Sequence, residues 1–491
     1  MRERLDANLS ATFQEKILLP ETLRDYDLNF EEMILLNKAY ALMLKKIGVI
    51  TTEECKDIIN AQQYVYETLK REDLSGNCED LYFNIEQAMI ARIGIETGGK
   101  LHTGRSRNDL YSCLTRMEVR RATWKIVGCL TELQNILVKE AQDNTETVIT
   151  GYTHNQPGQP ITLAHYYTAA CYALTRDFDR IVSAYKNTNR SPYGAAAFAG
   201  ATFPIDRNYL CRLCGFDSSI ENSIDSIASK DFIVEMEMAF TIMMTNISRF
   251  ATDMYFWASD ECGILDLGGE VAICSSIMPQ KKNPVCFEYA RSKVAHVTGG
   301  MISALTALKN VPFTNNTDIF ETSVMFDDTV EQTLQGLEIF IECIKYSKIN
   351  KNKALDMAKN NYSTVTGLAD YLVKNAELSF EEAHAIVGKI IGEIIDNNDT
   401  IKNITGEVIK VTAKELTGKD IVFADEEING VLDPWNNIQS KKTFGSPNKE
   451  HVNIMIDNLK EKIVVEKKWL EKEKRKVREA YEKLNAEIDN L

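Results

Sequence analysis

No proline falls between Pro20 and Pro157, and none between Pro204 and Pro279. Within them lie long segments nearly free of glycine, where apolar residues recur at spacings of three and four. Leu110, Cys113, Leu114, Met117, Trp124, Val127, Leu130, Leu133 and Leu137 form one such series. A stripe with that period buries one face of an α-helix, and its length predicts a helix of bundle size. The same pattern runs through Phe232 to Phe256, Val285 to Leu308 and Phe320 to Tyr346, with a shorter series from Leu378 to Asn397. Alternating strand patterns are scarce and short. The expected fold is therefore all-α, with a long central helical bundle flanked by smaller helical N- and C-terminal domains.

The boundaries expected from these patterns are 1–107 for the N-terminal helical domain, 108–360 for the long-helix bundle and 361–491 for the C-terminal domain. At 491 residues the chain exceeds one ordinary core, which favours such a division. The last forty residues, from Val452, are dominated by Lys and Glu at helical spacing and read as a solvated helix or coiled-coil arm. With 56 Lys+Arg against 71 Asp+Glu, the net charge of −15 argues against nucleic acid or an anionic membrane surface as partner. No basic start leads into an apolar run, so a cytoplasmic protein is expected. The eleven cysteines are scattered through helical stretches and read as reduced core thiols. Cys211 and Cys214 have metal-ligand spacing but lack a second pair, so no resident metal and no cofactor is expected.

Gly and Pro gather at a few places, and three of these loops carry unusual chemistry. In Leu101-His102-Thr103-Gly104-Arg105-Ser106-Arg107-Asn108-Asp109, two arginines, a serine and an asparagine precede a helix start. Arginine forks and free N–H groups at a helix N-terminus suit a carboxylate. A capping loop with surface arginines accounts for the segment equally well. In Gly151 to Pro160, His154 stands among hydroxyl and amide side chains, a setting for proton transfer near its reference pKa. In Ser275-Ser276-Ile277-Met278-Pro279-Gln280-Lys281-Lys282-Asn283-Pro284, two serines, two lysines and an asparagine make no sense as core. A serine there is open to activation by cationic and N–H groups, and Lys281 and Asn283 can hold a carboxylate. Glu288 follows on the helix, where it can orient an imidazole. By spacing alone this loop also fits simple anion binding.

In that order and at those separations, the three loops resemble the conserved regions of the aspartase/fumarase superfamily. The third is similar to its Gly-Ser-Ser-x-Met-Pro-x-Lys-x-Asn loop, with Cys274 where glycine is usual. Together with Ser191 to Arg207 and Leu432-Asp433-Pro434, the motifs resemble the argininosuccinate lyases over nearly the whole chain. The resemblance implies a carbon–nitrogen lyase that releases fumarate from an anionic N-succinyl substrate. It makes Ser275 the base and His154, paired with Glu288, the acid serving the departing nitrogen. It implies that Lys281 stabilises the dianionic aci-carboxylate. Ser106, Arg107, Asn108, Thr153, Gln159 and Asn283 become substrate-binding residues. It also implies a homotetramer with a shared helical core, each site drawing its three loops from three subunits.

The match is poorer where the family holds the amino-acid half of its substrate. Tyr82 stands where histidine is usual, and Leu36-Asn37 replace a Gly-Ser pair. Asn315, Phe320 and Ser323 take the places of Tyr, Gln and Lys, and neither Phe nor Ser supplies the missing amide or ammonium. Besides argininosuccinate cleavage, two alternatives follow. One is a relative cleaving another N-succinyl amino acid or an aminopolycarboxylate, and the other is a catalytically silent crystallin-like protein.

Overall fold

The computed structural model describes residues 9–491. Three helices begin the described chain, α1 (Leu19–Lys46), α2 (Thr52–Thr68) and α3 (Leu81–Ile93). The centre is built from five long helices, α4 (Arg107–Asp143), α5 (Leu163–Thr188), α6 (Asp231–Trp257), α7 (Val285–Leu308) and α8 (Glu321–Lys345). Shorter helices α9 (Val365–Asn375), α10 (Phe380–Asp396) and α11 (Gly406–Thr417) follow, and α12 (Lys449–Asp489) closes the chain. Among the described residues strands are confined to short two-stranded pairs, and the fold is all-α. Among the described residues no helix is long and apolar enough to cross a membrane.

Local chemistry sets these elements. At the start of α4, Ser106 Oγ accepts the Asn108 N–H while the Asp109 carboxylate reaches back to the Ser106 N–H. This capping box satisfies donors that the first turn otherwise leaves open. From there the apolar series Leu110, Cys113, Leu114, Met117, Val127, Leu130, Leu133 and Leu137 is fully buried, with Trp124 partly so.

The five helices alternate in direction. Arg116, in the third turn of α4, donates to the carbonyls of Asn187 and Thr188 at the end of α5 and to Ser229 before α6. At the other end Tyr166, on the first turn of α5, packs edge-on against Trp257, the last residue of α6. Helix α8 runs alongside α4: Arg24 of α1 bridges Asp327 and Glu118 near their starts, and Lys345 meets Glu132 further along. The bundle therefore has a proximal end, where α4, α6 and α8 begin, and a distal end, where they finish. The proximal end carries the Leu101–Asp109 loop, the Ser191–Arg207 loop and the segment before Phe320. The distal end carries the hairpin after α4 and the loop between α6 and α7.

The C-terminal expectation needs correction. Helix α12 is a single helix of 41 residues, but it is no solvated arm. Val452, Ile456, Leu459, Ile463, Leu470, Val477, Ala480 and Leu484 are buried along one face, against α4, α5 and the region after Tyr209. Its Lys and most of its Glu residues occupy the remaining surface, Glu466 and Glu473 being buried, and their number masks the stripe in a composition count.

Candidate active site

The proximal loop is built around Arg105. Its guanidinium turns inward and is buried, donating to Asn37 Oδ1 at 2.7 Å, Tyr82 Oη at 3.0 Å and Tyr193 Oη at 3.2 Å. It also lies over the Tyr40 and Tyr82 rings, at 4.8 and 5.0 Å from their centroids, in the cation–π range. Tyr193 passes its own hydrogen to the Leu36 carbonyl, and Tyr40 donates to the Thr103 carbonyl. Asp109, also fully buried, accepts the N–H groups of Ser106, Gly194 and Ala196. Burial drives its pKa up to about 7, against the opposing pull of Arg105 and these three donors. Gly194 has a φ of +83°, and a Cβ there would come within 2.9 Å of Ile205, so a side chain is excluded. The 191–207 loop is thus clamped to the start of α4.

This arrangement changes the reading of the two arginines. Neither guanidinium is a free carboxylate fork within the chain. Arg105 faces the interior, and Arg107 is ion-paired to Asp80 at 2.7 Å and Glu79 at 3.3 Å. Asn37 and Tyr82, which the resemblance sets at the amino-acid half of the substrate, are buried and engaged with Arg105. Ser106 is half-buried as the helix cap, and Asn108 donates to the Ala197 carbonyl at 3.1 Å. In the neighbouring segment Ser323 Oγ is buried without a hydrogen-bond partner among the described residues, and Phe320 lies 5.9 Å from the buried Lys230 ammonium.

At the distal end His154 sits at the tip of a hairpin formed by β1 (Val148–Thr153) and β2 (Gln156–Thr162). Thr153 pairs with Gln156, leaving His154 and Asn155 as the two-residue turn, both at positive φ (55° and 56°). That is the geometry of a tight hairpin turn, with a non-glycine residue held left-handed in each position. Gly151 makes the hairpin possible, since a Cβ there would lie 2.9 Å from the Gln159 carbonyl. Thr153, His154 and Gln159 are all exposed.

The serine loop lies at the same end. Its base is a short pair of strands, β3 (Ile273–Cys274) and β4 (Lys282–Asn283). Ser275 Oγ accepts the backbone N–H groups of Met278 at 3.1 Å and Ile277 at 3.4 Å. Two donors aimed at one hydroxyl oxygen favour its deprotonated form. Lys282 pairs with Asp266, whereas Lys281 makes no side-chain ion pair within the described chain. Asn283 is half-buried, and Glu288 projects from the first turn of α7. No hydrogen bond or ion pair joins His154 to Glu288 or to Ser275 among the described residues.

The proximal loop lies apart from this distal pair. Helix α4 separates them by 37 residues, about 55 Å at the usual helical rise. A substrate the size of a succinylated amino acid cannot touch both within one chain. From the sequence, Asn37 and Tyr82 stood out only as departures from the family pattern; that they join Tyr40 and Tyr193 in a cage around Arg105 was hidden, because these residues are far apart along the chain.

A family model described as Lyase matches residues 5–299, and one for the argininosuccinate lyase C-terminal region matches residues 362–439. The argininosuccinate lyase 1 of Shouchella clausii is 36% identical over 445 residues, covering 90% of this chain and 89% of its own. The chain belongs to the argininosuccinate lyase family. The argininosuccinate lyase of Methanocaldococcus jannaschii is 35% identical over 88% of both chains. Membership makes the chain a carbon–nitrogen lyase of the aspartase/fumarase superfamily. Among solved structures, EDDS lyase in complex with formate superposes with a TM-score of 0.87 at 28% identity, covering 99% of this chain and 97% of that one. The class II fumarase of Schistosoma mansoni shares the fold, with a TM-score of 0.69 at 17% identity, over 88% of this chain and 95% of its own.

Proposed function

We propose that this argininosuccinate lyase homologue splits L-argininosuccinate into L-arginine and fumarate by anti β-elimination. The observation that carries the mechanism is the pair of N–H groups on Ser275 Oγ. They stabilise the alkoxide that removes the proton beside a carboxylate. Lys281, with no ion pair among the described residues, balances the aci-carboxylate dianion, and Asn283 binds the same half. His154, at its exposed turn, hands a proton to the departing nitrogen, with Glu288 as its carboxylate partner. Ser106 and Asn108, with Thr153 and Gln159, complete the grip on the succinyl carboxylates. Arg107 acts by holding the helix start through Asp80.

The distance along α4 supports a site shared between copies of the chain, and an exposed face supports the copy's docking. Tyr289, Ser292, Ala295, Gly299, Ile302 and Thr306 follow one another at helical spacing on the outside of α7, all exposed and none charged. Such a stripe packs readily against another helix. The assembly proposed is a homotetramer, in the cytoplasm, with no nucleic-acid partner.

The deciding experiment follows fumarate by ultraviolet absorbance across a panel of N-succinyl compounds. Argininosuccinate should be turned over, and Ser275→Ala should abolish the signal. The breadth of the superposition on EDDS lyase, with Asn315, Phe320 and Ser323 departing from the family pattern, supports a second reading: fumarate released from another N-succinyl amino acid or an aminopolycarboxylate. Turnover of those alone selects it. No turnover of any leaves the silent, crystallin-like alternative.

A further inference from the structure

Tyr82 Oη makes three polar contacts, and only one arrangement of hydrogens satisfies them. It lies 2.7 Å from Glu86 Oε1, 3.0 Å from Arg105 Nη2 and 2.8 Å from His102 Nδ1. A guanidinium only donates and a carboxylate only accepts, so Tyr82 receives from Arg105 and gives its single hydrogen to Glu86. The remaining contact must then be a donation from the imidazole. His102 is therefore protonated on Nδ1, and in the neutral ring its Nε2 carries the bare lone pair.

The surroundings favour the neutral ring. Burial and the neighbouring Arg105 and Arg107 charges push its pKa down, against the weaker pull of Glu86. The His102 side chain is 35% exposed. Its Nδ1 edge abuts the buried Tyr82, so the exposed edge is the one bearing Nε2. Nothing within the described chain donates to that nitrogen. Tyr40 holds the next residue, Thr103, by its carbonyl, so the ring's mount is fixed before any ligand arrives.

We propose that His102 is a substrate-contacting specificity residue whose bare Nε2 accepts an N–H from the amine half of the substrate, and that Tyr82 is the residue that sets this tautomer. This rests on the lyase reading above. A lone pair repels a carboxylate, so Nε2 adds nothing to the grip on the succinyl half. It favours leaving groups rich in donors, such as a guanidino or ammonium group, over leaving groups built of carboxylates. Tyr82, which takes the place of a family histidine, thereby contributes to recognition without touching the substrate.

The test has a spectroscopic arm and a kinetic arm. The chain has only six histidines, so the 15N spectrum of histidine-labelled assembled enzyme, compared with His102→Gln, assigns the His102 signals. At pH 7.5 a bare Nε2 resonance is expected, moving towards hydrogen-bonded values when L-arginine and fumarate are added. Tyr82→Phe should release the tautomer. Kinetically, His102→Leu should raise the KM for argininosuccinate about 10- to 100-fold with kcat changed less than about threefold, and His102→Gln, which retains an acceptor, should restore most of it. An Nε2–H or doubly protonated ring overturns the proposal. So does a His102→Leu enzyme of unchanged KM, or equal loss of kcat in the Leu and Gln variants. If wild type releases no fumarate from any N-succinyl compound, the lyase reading fails on its own, while an unmoved Nε2 signal on adding L-arginine refutes the contact separately.

Discussion

The loop from Leu101 to Asp109 and the loop from Cys274 to Pro284 sit at opposite ends of one bundle and are held in opposite ways. The proximal loop is locked by its own chain: Arg105 is enclosed by four aromatic or amide side chains, and Asp109 gathers three backbone donors. The distal loop has a two-residue strand pair at its base and little else, and Ile277 is 82% exposed at its tip. One end is pre-organised within the fold, and the other is exposed and held by few contacts within the described chain.

The largest effects should come from the distal end, on turnover alone. Ser275→Ala and His154→Asn should each lower fumarate release roughly 10³-fold or more, with the thermal midpoint nearly unchanged. Next, Asn108→Ala at the proximal end should cut activity by about 100-fold. Mixing it with Ser275→Ala chains under dissociating conditions, then reassembling them, should restore part of the wild-type rate, because some sites receive both intact loops. A mixture no more active than its parents would mean that each chain builds its own site. The third effect is on stability: Arg105→Leu leaves the Asn37 amide oxygen and two phenols short of a donor and should lower the unfolding free energy by about 3 kcal/mol. If urea unfolds that variant no earlier than Ser275→Ala, the contrast between a locked and an open end disappears.

The smallest effect probes the bundle between the two ends. Glu237 of α6 is buried, with Thr329 as the donor to one oxygen and no partner for the other among the described residues. Burial, only partly offset by that hydroxyl, raises its pKa to about 7. A raised carboxyl pKa means that the folded state binds the proton more tightly than the unfolded chain. Its contribution is therefore present at low pH and is lost as pH rises from about 4.5 to about 7. Glu237→Gln should leave stability unchanged near pH 4 and become more stable than wild type as pH rises towards 7, read from denaturation midpoints across that range. A gain of equal size at both pH values would show that charge is not the cause.

How much of this was legible in the sequence depended on how local the cause is. Helices α4 and α7 were readable from apolar spacing because each is defined by neighbours three and four residues away. The Ser275 loop was readable because its composition suits neither a core nor an ordinary surface loop. The β1–β2 hairpin was not, since Pro157 and Pro160 look like breakers and its pairing depends on a left-handed turn at His154-Asn155. The inward turn of Arg105 was hidden for a different reason: its partners at 37, 40, 82 and 193 meet only in the folded chain. The buried face of α12 was obscured by the Lys and Glu around it, although the interval from Val452 to Ile456 to Leu459 has the same period that revealed α4.

Helix α4 also works as a ruler. In the shared-site assembly proposed above, its two ends belong to different sites, and its length is matched to the repeat of that assembly. An inserted residue would turn everything beyond it by about 100° and disrupt the core. An insertion of seven, nearly two full turns, would keep the buried face in register yet carry the hairpin about 10 Å out of place. Such a protein should fold and assemble and still be inert, so the length of this helix is constrained by the catalytic geometry more tightly than by folding.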